Sequence, residues 1–251
     1  MKMFSKITLD YKQNLFTKLI NETEFETITN GREGAVLISP VGDKIPIVRT
    51  TTKYTKPAQK FKAIHYDIVN KIRNISGINS IEFNNGLIEV YDNKYCTMGF
   101  HSDQSLDLEE DSYIAVYSCY ENPQDIDGSN SRKLIVKNKI SDEISEILMD
   151  HNSVILFDST TNQKHLHKIV LENNNKSNRW LGITFRLSKA FVEHINGIPY
   201  LCHSHTILTL ADKEESNNFY KLRSEENKSS EFKYPEINYT ISMSDLMPII
   251  L

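Results

Sequence analysis

A small set of residues in this chain has the types and spacing needed to hold a metal ion. His101 and Asp103 stand two apart in Gly99-Phe100-His101-Ser102-Asp103. On an extended segment, residues i and i+2 point to the same side, so an imidazole and a carboxylate can reach one ion together. A second histidine from a distant strand would complete a two-histidine, one-carboxylate facial set, which leaves three positions open on ferrous iron for a co-substrate and dioxygen. Two histidines are available, in His165-Leu166-His167-Lys168-Ile169-Val170. They too are two apart, so on a strand both face inward and spacing does not choose between them. Beyond them a strand-like run ends in Arg186, a cation suited to holding a carboxylate.

Ligand pair, distal histidine and arginine follow in this order, each on or beside a strand. The surrounding runs are Asn85-Gly86-Leu87-Ile88-Glu89-Val90-Tyr91, Ile114-Ala115-Val116-Tyr117-Ser118, Leu166-His167-Lys168-Ile169-Val170 and Gly182-Ile183-Thr184-Phe185-Arg186. Together with Gly99–Asp103 they resemble the AlkB-like branch of the iron(II)- and 2-oxoglutarate-dependent dioxygenases. The match runs from about Ser80 to Lys189, under half of the chain.

The resemblance implies iron(II), 2-oxoglutarate and dioxygen as cofactor and co-substrates, and His167 rather than His165 as the distal ligand. It also implies that Tyr91 hydrogen-bonds 2-oxoglutarate and that Arg186, with Thr184 on the same strand, receives one of its carboxylates. Two positions depart from the family pattern. Glu89 stands where the family has Asn, and Trp180 stands where it has a second Arg, the nearest here being Arg179. Arg186-Leu187-Ser188 offers an alternative Arg-x-Ser anchor, with Ser188 as its second member. Glu89 beside an anionic co-substrate is unfavourable unless it turns away or pairs with a cation.

Such a site needs strands to position it. From Ser80 to Arg186 the chain reads as short strands punctuated by turns: 86–91, 113–117, 134–136, 153–157 and 180–185. That pattern predicts a sandwich or a closed jelly roll. With the resemblance, the expected fold is a β-rich α+β domain with a double-stranded β-helix core. Upstream, Tyr11 to Ile20 has helical spacing, 35–38 and 45–49 read as strands, and 63–75 reads as a helix with Ile64, Ile68, Ile72 and Ile75 on one face. Pro123 to Ser131 is a polar loop, expected to be the mobile segment of the core. A charged helix is expected over 212–227. The parts are then 1–79, helices and the substrate-lid region; 80–190, the oxygenase core; and 191–251, an extension packed on it, all in one domain.

With 251 residues the chain can bury one substantial core. A net charge of -4 gives no overall attraction to nucleic acid or anionic membranes. A local patch is the exception: Arg49-Thr50-Thr51-Thr52-Lys53-Tyr54-Thr55-Lys56, followed by Lys60, Lys62, Lys71 and Arg73, has few acids. Cations, hydroxyls and an aromatic suit a phosphate backbone and an unstacked base. Arg49, Lys53 and Tyr54 are therefore candidate substrate contacts, as is Asp158 after the buried strand. His203-Ser204-His205 lacks a carboxylate at fitting spacing and reads as polar surface. Cys96, Cys119 and Cys202 form no disulfide framework and are expected to be buried free thiols.

No run approaches the ~20 apolar residues that span a bilayer, and no signal-peptide core follows Met1–Lys6, so a cytoplasmic location is expected. Two substrate classes remain open: a modified nucleic acid, or a protein side chain or small molecule. A non-catalytic metal-binding sensor is a third reading.

Overall fold

The computed structural model describes residues 3–128 and 130–249 of the chain. Its strands are β1 Ser5–Thr8, β2 Glu26–Thr29, β3 Arg32–Ile38, β4 Ile45–Pro46, β5 Gln59–Lys60, β6 Asn85–Tyr91, β7 Tyr113–Tyr120 and β8 Arg132–Asn138. They continue with β9 Ile144–Leu148, β10 Ser153–Asp158, β11 His165–Leu171, β12 Trp180–Arg186, β13 Phe191–Ile195 and β14 Ile198–Leu201. The helices used below are α1 Phe16–Asn21, α2 Ala63–Ser76, α3 Ser159–Lys164 and α4 Lys213–Lys228. The architecture is β-rich α+β, with mainly antiparallel sheets and few helices. No helix among the described residues is long and apolar enough to cross a membrane.

Two sheets face each other. The larger runs β1-β10-β7-β12-β6-β3-β2, with β5 beside β3; the smaller runs β11-β8-β9. The segment 97–101 joins the smaller sheet through bridges Thr97–Val170 and His101–His167. The chain thus alternates between sheets: β6 in the larger, 97–101 in the smaller, β7 in the larger, β8 and β9 in the smaller. It then returns to the larger sheet with β10, crosses to the smaller with β11 and ends in the larger with β12.

Period-two alternation explains how β12, buried along nearly its whole length, packs one apolar face and serves a polar site with the other. Leu181, Ile183 and Phe185 pack outward with Ile88 and Val90 against Ile64, Ile68 and Ile72 of α2. Each such isoleucine contributes ~1.5–3 kcal/mol relative to exposure. The other face carries Trp180, Thr184 and Arg186 toward the space between the sheets. There Trp180, Tyr91 and Val116 meet Leu134, Val136 and Ile169 of the smaller sheet.

Several local expectations change in the tertiary structure. The first helix is confined to Phe16–Asn21, because the residues ahead of it are held by distant groups. Tyr11 donates to Asp67, and the Asn14 amide donates to the carbonyls of Tyr120 and Glu121. The strand read over 45–49 shortens to Ile45–Pro46. Ile75 leaves the buried face of α2 and is 47% exposed, since α2 ends one residue later at a left-handed Gly77 with φ 69°. β9 and the β13–β14 hairpin carried no strand signal; β9 is a largely exposed edge strand. In the 123–131 loop, Asn130 is 5% exposed and donates to the Asp125 carbonyl, while Ser129 lies outside the described residues. Cys119 is buried, but Cys96 and Cys202 are only partly so.

Candidate functional site

His101 and His167 face each other as a directly bonded antiparallel pair. His101 N donates to the His167 carbonyl at 3.0 Å, and His167 N to the His101 carbonyl at 2.7 Å. Residues opposed in this way project side chains to the same face, and the two rings lie 4.7 Å apart between centroids. Asp103 follows two residues on. One ligand atom each from His101, Asp103 and His167 lies within 4.8 Å of the other two. His165 is inward-facing as well but otherwise engaged. Its Nδ1 is 2.8 Å from the Thr161 carbonyl, its Nε2 is 3.3 Å from the Asn138 amide, and its ring packs on Phe4.

Several contacts orient the three groups. His101 Nδ1 sits 2.9 Å from the Gly99 carbonyl, which makes Nδ1 the protonated nitrogen and leaves Nε2 free to ligate. The main chain of Asp103 is clamped reciprocally by Asn162 of α3: Asp103 N donates to the Asn162 side chain and the Asn162 amide to the Asp103 carbonyl, each at 2.7 Å. Arg186 Nε lies 3.4 Å from Asp103 Oδ2. Burial alone would raise the Asp103 carboxyl, but Arg186, with His167, His101 and Arg223, outweighs it and holds the group below the usual range. Burial lowers both histidines, His167 to about 3, and neighbouring cations add to this. At neutral pH the site therefore offers one carboxylate and two neutral imidazoles, the protonation states a divalent ion requires.

The residues fit such an ion. Asp103 Oδ2 and His167 Nδ1 are buried without a hydrogen-bond partner; orphaned groups of this kind cost ~1–3 kcal/mol each and are retained where function uses them.

A cavity of about 550 Å³ opens from these residues, lined also by Tyr91, Thr184, Arg186, Glu89, Arg32 and Thr50–Thr52. The structure brings Tyr91, Thr184 and Arg186 to this cavity but separates other candidates from it. Arg179 lies outside, paired to both oxygens of Glu121 at 2.6 and 3.0 Å. Ser188 is buried against the main chain, its hydroxyl engaging the carbonyls of Ile47, Asp107 and Ala190. Asp158 caps α3 by accepting from Thr161 N, and Lys53 is exposed. Tyr54 is buried and donates to Glu89 at 3.3 Å.

Arg49 corrects the surface-patch reading most clearly. It is 3% exposed, fully occupied by Asp107 and by the carbonyls of Ile237 and Tyr239. Lys56, Lys62, Lys71 and Arg73 likewise donate to main-chain carbonyls of Phe25, Glu22, Asp10 and Ile81. A larger cleft of about 1270 Å³ beside Arg49 and Asp107 contains none of the three clustered ligands.

The groups that the sequence did not disclose come from α3 and α4. Arg223 donates to the Ser102 carbonyl and to Glu226, Glu226 accepts from Ser105 N and Oγ, and Asn227 accepts from Ser102 N. Helix α4 thus grips the segment that carries Asp103, and Arg223 and Asn227 line the cavity. One signal existed: Arg223 and Glu226 fall at helical spacing on the stripe of Phe219 and Leu222, and charges on an apolar stripe need buried partners. Asn162 carried no comparable signal. Replacing Asn162 with Ala should cost about 1–3 kcal/mol in a urea melt. It should also weaken metal affinity roughly 10–100-fold in a cobalt titration, as loss of an orienting partner does.

No family model matches the chain, and neither does any curated protein. Among solved structures, OsALKBH1 aligns over 74% of this chain and 98% of its own, with TM-score 0.50 and 12% identity. A Pseudomonas putida prolyl-4-hydroxylase aligns over 74% of this chain and 92% of its own, with TM-score 0.42 and 13% identity. At that level of identity the first likeness establishes architecture, and the chain has the fold of OsALKBH1.

Proposed function

We propose that this chain is an AlkB-like iron(II)- and 2-oxoglutarate-dependent dioxygenase that hydroxylates or oxidatively demethylates its substrate. The observation that carries the reading is the convergence of His101, Asp103 and His167 at a cavity that also holds Arg186. The strand alternation between two sheets supports a double-stranded β-helix as the core, formed by residues 80–190. The segments 1–79 and 191–251 are packed around it in one domain, with Thr50–Thr52 contributing the substrate-lid side.

When bound, iron(II) with 2-oxoglutarate supplies activation of dioxygen and oxidation of a substrate C–H bond. The protein's own groups prepare for this. Arg186 keeps Asp103 ionised, the Gly99 carbonyl sets the His101 tautomer, and the main-chain pair with His101 fixes the position of His167. Thr184 and Arg186 present a hydroxyl and a cation to the co-substrate. Leu87, Val116, Leu134 and Ile169 line the cavity and limit water near the reacting groups.

For the substrate, the fold shared with OsALKBH1 leaves a modified nucleic acid in view. The burial of Arg49 on Asp107 removes one candidate phosphate contact and keeps the second reading, hydroxylation of a protein side chain or small molecule, beside it.

Anaerobic addition of iron(II) and 2-oxoglutarate should produce the weak visible charge-transfer band of a metal-bound keto acid, lost in His167→Ala. A folded wild-type protein without that band would reject the proposal in favour of a non-catalytic metal-binding role.

A further inference from the structure

The cavity wall built by β12, β6 and β3 carries an arrangement that the metal set does not use. In one row across these strands Trp180 stands opposite Tyr91, and Tyr91 opposite Arg32. In the adjacent inward row Glu89 stands opposite Gly182 and Gly34. The Trp180 indole lies over Gly182, where an added Cβ would come within 2.0 Å of the ring, and its Nε1 donates to Ser118 at 2.7 Å. An indole therefore fills this part of the wall, and among the described residues of the cavity lining Arg32 is the cation opposite Tyr91.

Arg32 is not idle. Its Nε donates to Glu89 Oε1 at 2.8 Å, its Nη2 donates to the same oxygen, and Nη2 reaches Thr52 Oγ1 at 3.2 Å. Tyr54 donates to Glu89 Oε1 at 3.3 Å, and Tyr91 donates to Oε2. Burial and the Glu89 charge keep both phenols protonated, hence donors. One 8%-exposed carboxylate thus gathers a guanidinium and two phenols, the donor set that would neutralise and solvate a carboxylate arriving from outside.

The remaining cations of the described cavity wall lie away from this row. Arg186 stands beside Asp103, at the end that takes the keto-acid head, and Arg223 holds Glu226 and the Ser102 carbonyl. A keto diacid with its keto-acid head at the metal set meets Arg32 and Tyr91 as the donors of the cavity lining left for its second carboxylate. Along β12 the row of Glu89 lies four residues from Arg186, roughly 13 Å of strand. Tyr54, bonded to Glu89, also lines a small pocket with Arg186.

We propose that Glu89 is an internal carboxylate occupying the subsite for the co-substrate's second carboxylate. A diacid must take Arg32 and Tyr91 from it, so Glu89 sets the affinity for diacids without touching the keto-acid head. The proposal rests on the dioxygenase reading above.

The test compares 2-oxoglutarate with 2-oxobutyrate, which has the same head and no second carboxylate, by anaerobic titration of the charge-transfer band on iron(II)-loaded protein. Glu89→Gln should tighten 2-oxoglutarate by roughly tenfold, equivalent to about 1.4 kcal/mol, and leave 2-oxobutyrate unchanged. In the double variant Arg32→Gln/Glu89→Gln the gain should vanish and the two acids should bind alike. If Glu89→Gln does not fold, the double variant, which removes both charges, carries the test through that last comparison. Unchanged or weakened 2-oxoglutarate binding in Glu89→Gln, or a double variant that still prefers 2-oxoglutarate to 2-oxobutyrate, would overturn the role of Glu89 alone. Metal binding with no band from either acid in any variant would reject the co-substrate reading and this proposal with it.

Discussion

Replacing His167 with Gln should yield a folded protein that has lost its metal site and resists acid better than wild type. Removing a direct ligand should exceed the loss from an outer partner, so divalent-metal affinity should fall by more than about a hundredfold in a cobalt titration. Succinate formation should fall with it. The acid effect follows from burial. His167 is pushed down to about 3 in the folded chain, first by burial and then by His101, against an unfolded value of ~6.5. As pH falls through that interval the unfolded chain takes up a proton that the native chain refuses. Stability is therefore complete above ~6.5 and lost on acidification toward 3, by an amount on the order of a few kcal/mol.

Gln cannot titrate, so the variant should lose less stability between pH 7 and pH 4.5 in urea melts. Its stability at pH 7 should differ from wild type by no more than the ~0.5–3 kcal/mol usual for a single substitution. Part of the acid sensitivity should persist, because His65, lowered to about 4 by burial and Lys62, titrates in the same direction. Equal acid sensitivity in wild type and variant would show that His167 is not held neutral by its surroundings.

Arg49→Ala should be among the most destabilising single substitutions outside the apolar core, at about 3–5 kcal/mol by urea melt. The guanidinium and Asp107 are 3% and 1% exposed by side chain and 2.7 Å apart. Removing the cation leaves a buried carboxylate uncompensated and frees two carbonyls of the 237–239 segment. Replacing both partners by apolar residues, as in Arg49→Met/Asp107→Leu, should recover part of that loss, since no charge remains stranded. If Arg49 instead served a phosphate backbone, Arg49→Ala would leave the melt unchanged and lower salt-dependent oligonucleotide binding. That outcome would return Arg49 to the candidate phosphate contacts.

The candidate site was partly legible in the residues alone, and the reason is geometric. His101 and Asp103 are two apart, and period-two projection is a local property of an extended backbone, so their shared direction could be read without knowing the fold. The same locality left His165 and His167 equivalent; what separates them is register. His167 sits opposite His101, whereas His165 finds Thr161, Asn138 and Phe4. Glu89 stood out as a misplaced anion, but its partner Arg32 lies 57 residues away on a strand whose pairing no local pattern specifies. Arg223 and Asn227 lie more than a hundred residues from the segment they grip, and only the docking of α4 shows their role.

The basic stretch was legible only in part. Composition suggested a phosphate-binding surface, and Lys53, Lys56, Lys60 and Lys62 are exposed, but Arg49 is buried on Asp107, because burial and pairing depend on the fold and not on composition. By itself the sequence determined ligand types, the alternation that gives β12 an apolar face and a functional face, and the absence of an overall basic drive. Tertiary structure decided which histidine meets Asp103, which cations remain available to a ligand, and that Glu89 holds the donors of the cavity wall. Those outcomes depend on long-range strand register and on electrostatic pairing in a desolvated interior, which spacing along the chain does not encode.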